Sequence, residues 1–364
     1  MATAQGQWQD AMADAAVLVS PARLEHFVAA ALRAAGTADE AAGAVARALA
    51  STSLRGVDSH GVRLLPHYLR VVEGGRVKGR AKIAVETRAP VAAVVDADDG
   101  FGHPASYRAV AEGCRLAAAN GLAMVSVVNS SHFGAAGCYA LEAAGQGMIA
   151  FAFGNSDSFV LPHDGVAPFH GTTPIAFAAP VRGERPYLID MATSIVPWNR
   201  VQDYRSKGMP VPEDVAVDAA GRPTTEPADV AALLPLGGRR YGFKGAALAS
   251  LAEILSAIVT GMPYCAALLP MAGPDVTTPR HLGHFFIVMR PDVLTSLDSY
   301  EAGMAAYLAD LRRQPAQPGS RVMAPGDREW ATLDQRNAAG IPVAPALLGE
   351  FAAIAERYRL EPIA

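Results

Sequence analysis

Up to about residue 90, apolar positions recur every three or four places, the spacing of one buried helix face. "ARLEHFVAAALRAAG" carries such a stripe, opened by Ser20 as a cap and Pro21 at the first helical position. Thr37 and Glu40 have the spacing of a capping box for the next helix, "EAAGAVARALASTSLRG". A third helix is predicted over "DSHGVRLLPHYLRVVEGG", stopped at Gly74 and Gly75. Near Ala92 the pattern changes to alternating β and α. "VAAVVDA", "LAMVSVVNS" and "MIAFAFGNS" are predicted strands, with helices over "ASYRAVAEGCRLAAANG" and "GCYALEAAGQG" between them. Helices then thin out. "TPIAFAAPV", "ERPYLIDMA" and "GHFFIVMRP" are predicted strands, and "FKGAALASLAEILSAIVTG" is the strongest helix of the later half. Residues 206–238 are rich in Pro, Gly and acid, and their length predicts an irregular segment that packs over a site. Helical patterning returns beyond about Arg321, as in "APALLGEFAAIAERYRL".

Composition narrows the class. A chain of 364 residues is long enough for two or three domains with real cores. No apolar run approaches the ~18 uncharged residues that span a bilayer. The first twenty residues lack a basic leader, and Asp10 and Asp14 interrupt the apolar run, so no signal peptide is read there. Cys114, Cys138 and Cys265 are odd in number and widely spaced, with no C-x-x-C. They imply neither a disulfide framework nor a zinc site, and a reducing cytoplasm is the simplest setting. The net charge of −4 is spread without blocks, which argues against nucleic acid and anionic membranes as partners.

One loop invites a nucleotide. In "DADDGFGHPAS", Gly100, Gly102 and Ala105 have G-x-G-x-x-A spacing between a predicted strand and a predicted helix. The chemistry is wrong for a phosphate. Pro104 has no N–H to offer, His103 adds bulk, and Asp96, Asp98 and Asp99 would repel an anion. The next strand ends in Asn129 and Ser130, where a Rossmann unit places an acid for the ribose. A tight strand-to-helix turn is the better reading. A second match, Gly145 to Ala150, runs from helix to strand, the wrong order.

Polar residues with small neighbours gather instead at strand ends and helix starts: Ser59 and His60, His132, Ser156 and Asp157, Asp190, and Lys244. Ligands collect at such places in α/β folds. Helix N-termini favour anions, and histidine exchanges protons near neutral pH. The set suits a carboxylate substrate beside a cofactor. Each residue alone also has a plain structural reading, as a cap, a loop brace or a solvated charge. His67, His103, His170, His281 and His284 are read as structural or unassigned. His281 and His284 lack acidic or Cys partners at metal-ligand spacing, so no metal site is assigned. No G-x-S-x-G elbow supports a serine hydrolase.

Taken in order, "RGVDSHGVRLLPHYL", "VVDADDGFGH", "NSSHFGAAGCYA", "GNSDSFVLPHDG", "HGTTPIAFAAP", "LIDMATS", "AVDAAGRPTTEP", "LLPLGG", "GFKGAALA" and "NAAGIPV" resemble the malate/L-lactate dehydrogenase-type family of NAD(P)-dependent oxidoreductases, from about Ser20 onward. The resemblance implies an α/β fold with a non-Rossmann mixed-sheet dinucleotide-binding domain at 151–319. A β/α segment at 91–150 would carry His132. A helical domain would form from residues 1–90 joined by 320–364. It also implies a homodimer with NAD or NADP as cofactor. Matching positions assign catalysis to His60 and His132, with Ser59 beside them; Arg63, next to the family's arginine position, is the candidate for the substrate carboxylate. Cofactor contacts would fall on Ser156, Asp157, Asp190, Met191, Ala192, Thr193, Lys244, Gly326 and Asp327.

Two positions depart from the family pattern. The carboxylate-binding arginine belongs three residues after the glycine of Ser-His-Gly, where this chain has Leu64; Arg63 comes one earlier, a turn of ~100° on an α-helix. Thr173 stands where an Asn is usual, replacing an amide with a hydroxyl. The expected reaction is reversible hydride transfer between nicotinamide and C2 of a small 2-hydroxy or 2-oxo acid such as malate, lactate or ureidoglycolate. One of the two histidines would move the hydroxyl proton and the other would orient or polarise the oxygen. The rival readings are a reductase of cyclic ketimine carboxylates and a nucleotide-binding protein without turnover.

Overall fold

The computed structural model describes residues 16–206 and 208–363. Its centre is a seven-stranded mixed sheet. In chain order the strands are β2 (Ala84–Ala89), β3 (Ala92–Asp96), β4 (Leu122–Ser130), β5 (Ile149–Gly154), β6 (Ile175–Ala179), β7 (Tyr187–Met191) and β10 (Leu282–Met289). Their spatial order is β2-β3-β4-β10-β5-β6-β7. Only β3 and β4 are parallel, joined by the crossover helix α4 (Gly102–Asn120); every other pair is antiparallel. A Rossmann sheet is parallel throughout, so the expected non-Rossmann mixed sheet is what forms. β10 arrives late in the chain and enters between β4 and β5, with Leu282 opposite Ser130 and His284 opposite Gly154. Strands from 91–150 and 151–319 therefore share one sheet.

Helices α4 and α5 (Gly137–Ala144) pack on the sheet. Ala109, Val110, Cys114, Tyr139 and Ala140 meet Val95, Val125, Val127, Ala152, Ala176 and Phe286 in one buried cluster. Two-residue strands β8 (Ala216–Val217) and β9 (Ala232–Leu233) pair within the Pro-rich segment, whose Val211, Val215 and Leu233 pack with Val160 and Val201 in a small separate core.

The N-terminal helices form a second core. In α1 (Pro21–Ala34) the Ser20 hydroxyl accepts from Arg23 N at 3.2 Å and Pro21 opens the first turn, as the sequence predicts. Leu24, Phe27, Val28, Ala31 and Leu32 are buried against α2 (Asp39–Leu54) and α3 (Leu65–Glu73). Each such large apolar side chain contributes roughly 1.5–3 kcal/mol by leaving water. Chain ends meet here. β1 (Val17–Val19) pairs with β11 (Ile341–Val343), and Phe351 and Ile354 of α10 (Pro345–Tyr358) join the same cluster.

Two local expectations change. The capping box does not form. Thr37 N donates to Leu32 O, so Thr37 closes α1 and Ala38 takes the N-cap of α2; the Thr37 hydroxyl is buried without a partner. The predicted third helix begins late. Asp58–His60 and Val62–Leu64 are 3-10 turns, and the α-helix starts at Leu65. Gly61 breaks it, because it is extended and lies against Ser53 of α2, where an added Cβ would meet Ser53 Cβ at 3.0 Å.

Candidate active site

The Gly61 break sets His60 off from α3, and β4 runs out at Ser130 just before His132. The two imidazoles come together. Their ring centroids are 5.8 Å apart with planes inclined by 25°. Ser59 Oγ lies 2.9 Å from His60 Nδ1, and Tyr68 Oη lies 2.7 Å from His132 Nδ1. Burial, reinforced by the Arg63 charge, pulls the His60 pKa down to about 4. Burial, followed by the His60 charge, holds His132 well below the ordinary imidazole value. Both rings are therefore neutral at pH 7, able to accept or share a proton without carrying charge.

The glycine loop serves this pair. α4 begins at Gly102, whose N–H donates to Ser131 Oγ at 3.2 Å. A Cβ there would press on Ser131 O, on Phe133 Cβ at 2.8 Å and on His132 O at 3.0 Å. The glycine allows the start of a helix to sit against the backbone that carries His132. Asp98, at positive φ, is held by Lys78 Nζ at 2.6 Å. His103 points inward, fully buried, with Nε2 3.5 Å from Tyr68 Oη.

A polar helix that the sequence reading missed, α6 (Trp198–Ser206), closes one side. Asn199 donates to Ser59 O at 2.8 Å, and Asp203 takes Arg63 Nη1 at 2.6 Å. Trp198 stacks on Phe159 at 4.7 Å. Leu64 is buried in the helical core and half-exposed Arg63 faces Asp203, so the one-residue shift is real, on a 3-10 turn.

The geometry invites comparison with known proteins. The model of the malate/L-lactate dehydrogenase family matches residues 19–352. This chain belongs to that family. It is 34% identical to a malate dehydrogenase of Pyrococcus abyssi over 92% of this chain and 93% of the relative. It is 35% identical to a (2R)-3-sulfolactate dehydrogenase (NADP(+)) of Chromohalobacter salexigens, over 88% and 92%. The crystal structure of delta1-piperideine-2-carboxylate reductase from Pseudomonas syringae pvar. tomato is 31% identical, covers 93% of this chain and 100% of that one, and superposes with a TM-score of 0.82.

Of the residues this family resemblance assigns to the cofactor, Ser156, Thr193 and the backbone next to Lys244 are linked by hydrogen bonds beyond the end of β7. Ser156 Oγ accepts Thr172 N at 3.0 Å, Thr193 N donates to Thr172 O, and Leu236 N donates to Thr193 O. Gly245 N, next to Lys244, returns to Leu236 O. Thr193 and Thr173 hydroxyls pair at 2.8 Å, so the hydroxyl that replaces the usual amide is spent internally. Met191 and Ala192 are half-buried at the end of β7, and Lys244 is exposed on α7 (Gly238–Glu253), 5.7 Å from the Tyr241 ring centre. Asp190 lies against Gly137 at the start of α5, and burial lifts its carboxyl to about 6 despite the Arg55 charge and the Gly137 N–H.

Two assigned acids have other work in this structure. Asp157 is buried and accepts from Arg280 and from Met271 N. Asp327, first residue of α9 (Asp327–Ala339), takes Arg312 at 2.7 and 3.0 Å and caps Ala324 N at 2.9 Å, with Gly326 at positive φ before it. Sequence reasoning missed Tyr68, Asn199, Asp203 and Arg280. Tyr68 stood inside a quoted motif, but nothing in its spacing pointed to His132. Among the described residues, no group of three His, Cys, Asp or Glu side chains is arranged to hold a metal ion.

Proposed function

We propose that the chain is an NAD(P)-dependent oxidoreductase that moves hydride between nicotinamide and C2 of a small 2-hydroxy or 2-oxo acid. The observation that carries this is the pair of neutral imidazoles at 5.8 Å, joined from distant parts of the chain. The donor set suits a dinucleotide: Ser156 and Thr193 are joined through Thr172, and Thr193 leads through Leu236 to Gly245, the neighbour of the Lys244 cation. Ser156, Asp190, Met191, Ala192, Thr193 and Lys244 would hold it, with Gly326 and Asp327 at the edge and Asp157 bracing through Arg280. When bound, the nicotinamide accepts or supplies the hydride.

The protein's own residues manage the rest. In the oxidation direction the hydroxyl proton passes to one imidazole while the other donates to the same oxygen, which steadies the developing carbonyl. Arg63 holds the substrate carboxylate; its pairing with Asp203 uses Nη1 and leaves further guanidinium donors. Ser59 orients His60. Leu248, Leu251, Ile254, Ile258 and Val259 are exposed on α7 and the turn after it. That apolar row supports assembly as a homodimer, as the family resemblance implies. No helix among the described residues is long and apolar enough to cross a membrane.

The test is a substrate panel. Purified protein with NADH or NADPH is offered pyruvate, oxaloacetate, sulfopyruvate and a cyclic ketimine carboxylate, and absorbance loss is followed. Turnover of a 2-oxo acid is expected. Turnover of the imine alone moves the assignment to the reductase reading, and cofactor binding without turnover of any compound refutes the proposal.

A further inference from the structure

We propose that Tyr68 is a positioning residue that fixes His132 as the neutral Nε2–H tautomer, so that His132 presents a hydrogen-bond donor, not a base, to the reacting oxygen. The inference rests on the reading of His132 as a group that faces substrate. It starts from a bond with only one possible polarity. Gly134 N–H approaches His132 Nδ1 at 3.4 Å. A backbone amide only donates, so Nδ1 holds a lone pair and the ring proton sits on Nε2. Tyr68 Oη, 2.7 Å from the same Nδ1, must then be the donor there. Its oxygen is left to accept, and the group within reach is His103 Nε2 at 3.5 Å.

The far end of the chain agrees. If Nε2 of His103 carries the proton, its Nδ1 is bare, and His103 Nδ1 is buried with no hydrogen-bond partner. A bare lone pair is cheaper to bury than an unpaired N–H. Burial also pulls the His103 pKa to about 3, which keeps the ring neutral. Geometry holds the order in place. Tyr68 is 1% exposed, packed edge-to-face on His103 at 5.2 Å and on Phe101 at 5.7 Å. Gly134 sits at φ +72°, where a Cβ would lie 3.0 Å from His103 Nε2. Glycine there lets the amide, Tyr68 and His103 share one small space.

A division of labour follows. A neutral imidazole with its Nδ1 already occupied is a poor proton acceptor, and its Nε2–H is a good donor to an oxo or alkoxide oxygen. The hydroxyl proton therefore goes to His60, whose Nδ1 contact is a serine hydroxyl that can either donate or accept.

Neutron diffraction on the wild-type protein near pH 7 reads the protons directly. The expected map has hydrogen on His132 Nε2, none on Nδ1, and the Tyr68 hydroxyl hydrogen directed at His132. Hydrogen on His132 Nδ1 overturns the proposal, whatever the enzyme's activity. Tyr68→Phe should lower kcat about tenfold, the loss of one oriented hydrogen bond, with the cofactor KM unchanged. Unchanged kcat in a folded Tyr68→Phe protein also overturns the positioning role. A wild-type protein inactive on the whole panel, with the expected protons in place, removes the functional reading and leaves the tautomer standing.

Discussion

Replacing Gly102 by Ala separates two uses of a glycine loop. If "DDGFGHPAS" cradled a phosphate, the substitution would weaken cofactor binding. If it seats α4 against the His132 backbone, the substitution should disturb chemistry instead. An added Cβ would fall 2.8 Å from Phe133 Cβ and 3.0 Å from His132 O, with Ser131 O nearer still. Carbon atoms in contact need about 3.5 Å, so the Phe133 backbone must retreat by about 0.7 Å. Neither side yields easily, since Phe133 stacks on His284 at 4.1 Å and on Tyr139 at 5.2 Å in the buried core. Overpacking of this kind costs about 1–3 kcal/mol. A displacement approaching 1 Å beside a reacting group lowers rate by about a hundredfold. Steady-state kinetics should show kcat for a 2-oxo acid reduced by about 10- to 100-fold, with KM for NAD(P)H within about twofold of wild type. A raised cofactor KM at unchanged kcat would refute the reasoning and return the loop to the nucleotide.

Other substitutions probe separate parts of the account. Glu253 is buried and accepts Cys265 N at 2.7 Å, and burial lifts its pKa from 4.5 to about 7. The folded state thus holds this proton more tightly than the unfolded chain. Stability is greatest below about pH 4.5 and falls as pH rises through 7, by about 3 kcal/mol over that window. Glu253→Gln should flatten the slope in urea titrations at about pH 5 and 8, and a slope kept intact would exclude Glu253 as its source. Asp157→Asn leaves the Arg280 guanidinium buried without its counter-charge, and should cost about 3–5 kcal/mol in the same titrations. A cost under about 1 kcal/mol would mean the pair is solvated. Arg63→Ala should raise KM for the oxo acid about tenfold and, by removing a cation that depresses His60, move the basic group's pKa upward in the pH–rate profile. A downward move contradicts the assignment.

The long strands were legible from their apolar runs: β10 is buried on both faces along most of its length, while β4 and the start of β5 alternate buried with more exposed positions. Their order was not legible, since insertion of β10 between β4 and β5 depends on pairing across more than a hundred residues. Three-residue β1 and β11 are too short to carry a period. α6 reads as polar, without an apolar stripe, yet it brings Asn199 and Asp203 to the site. Thr37 shows a local rule overruled: the box spacing is present, but its amide closes the preceding helix. The histidines were visible as residues in peculiar company. Their meeting was not, because it is made by a glycine break at Gly61 and a glycine approach at Gly102. The phosphate loop is rejected on Pro104, the bulk of His103, the nearby acids and the missing ribose acid after the next strand, and the placement of His103 against Tyr68 supplies the physical use of that turn.

The most direct measurement is a double-mutant cycle on the two imidazoles. Turnover of the preferred oxo acid is measured for wild type, His60→Ala, His132→Ala and the double variant, each checked for native stability. Groups acting on one oxygen behave as a unit. Each single change should therefore cost about a hundredfold or more, with the double variant little worse than the worse single. Near-wild-type turnover in either single variant, or losses that simply multiply, would mean that the two rings do not serve the same reacting atom.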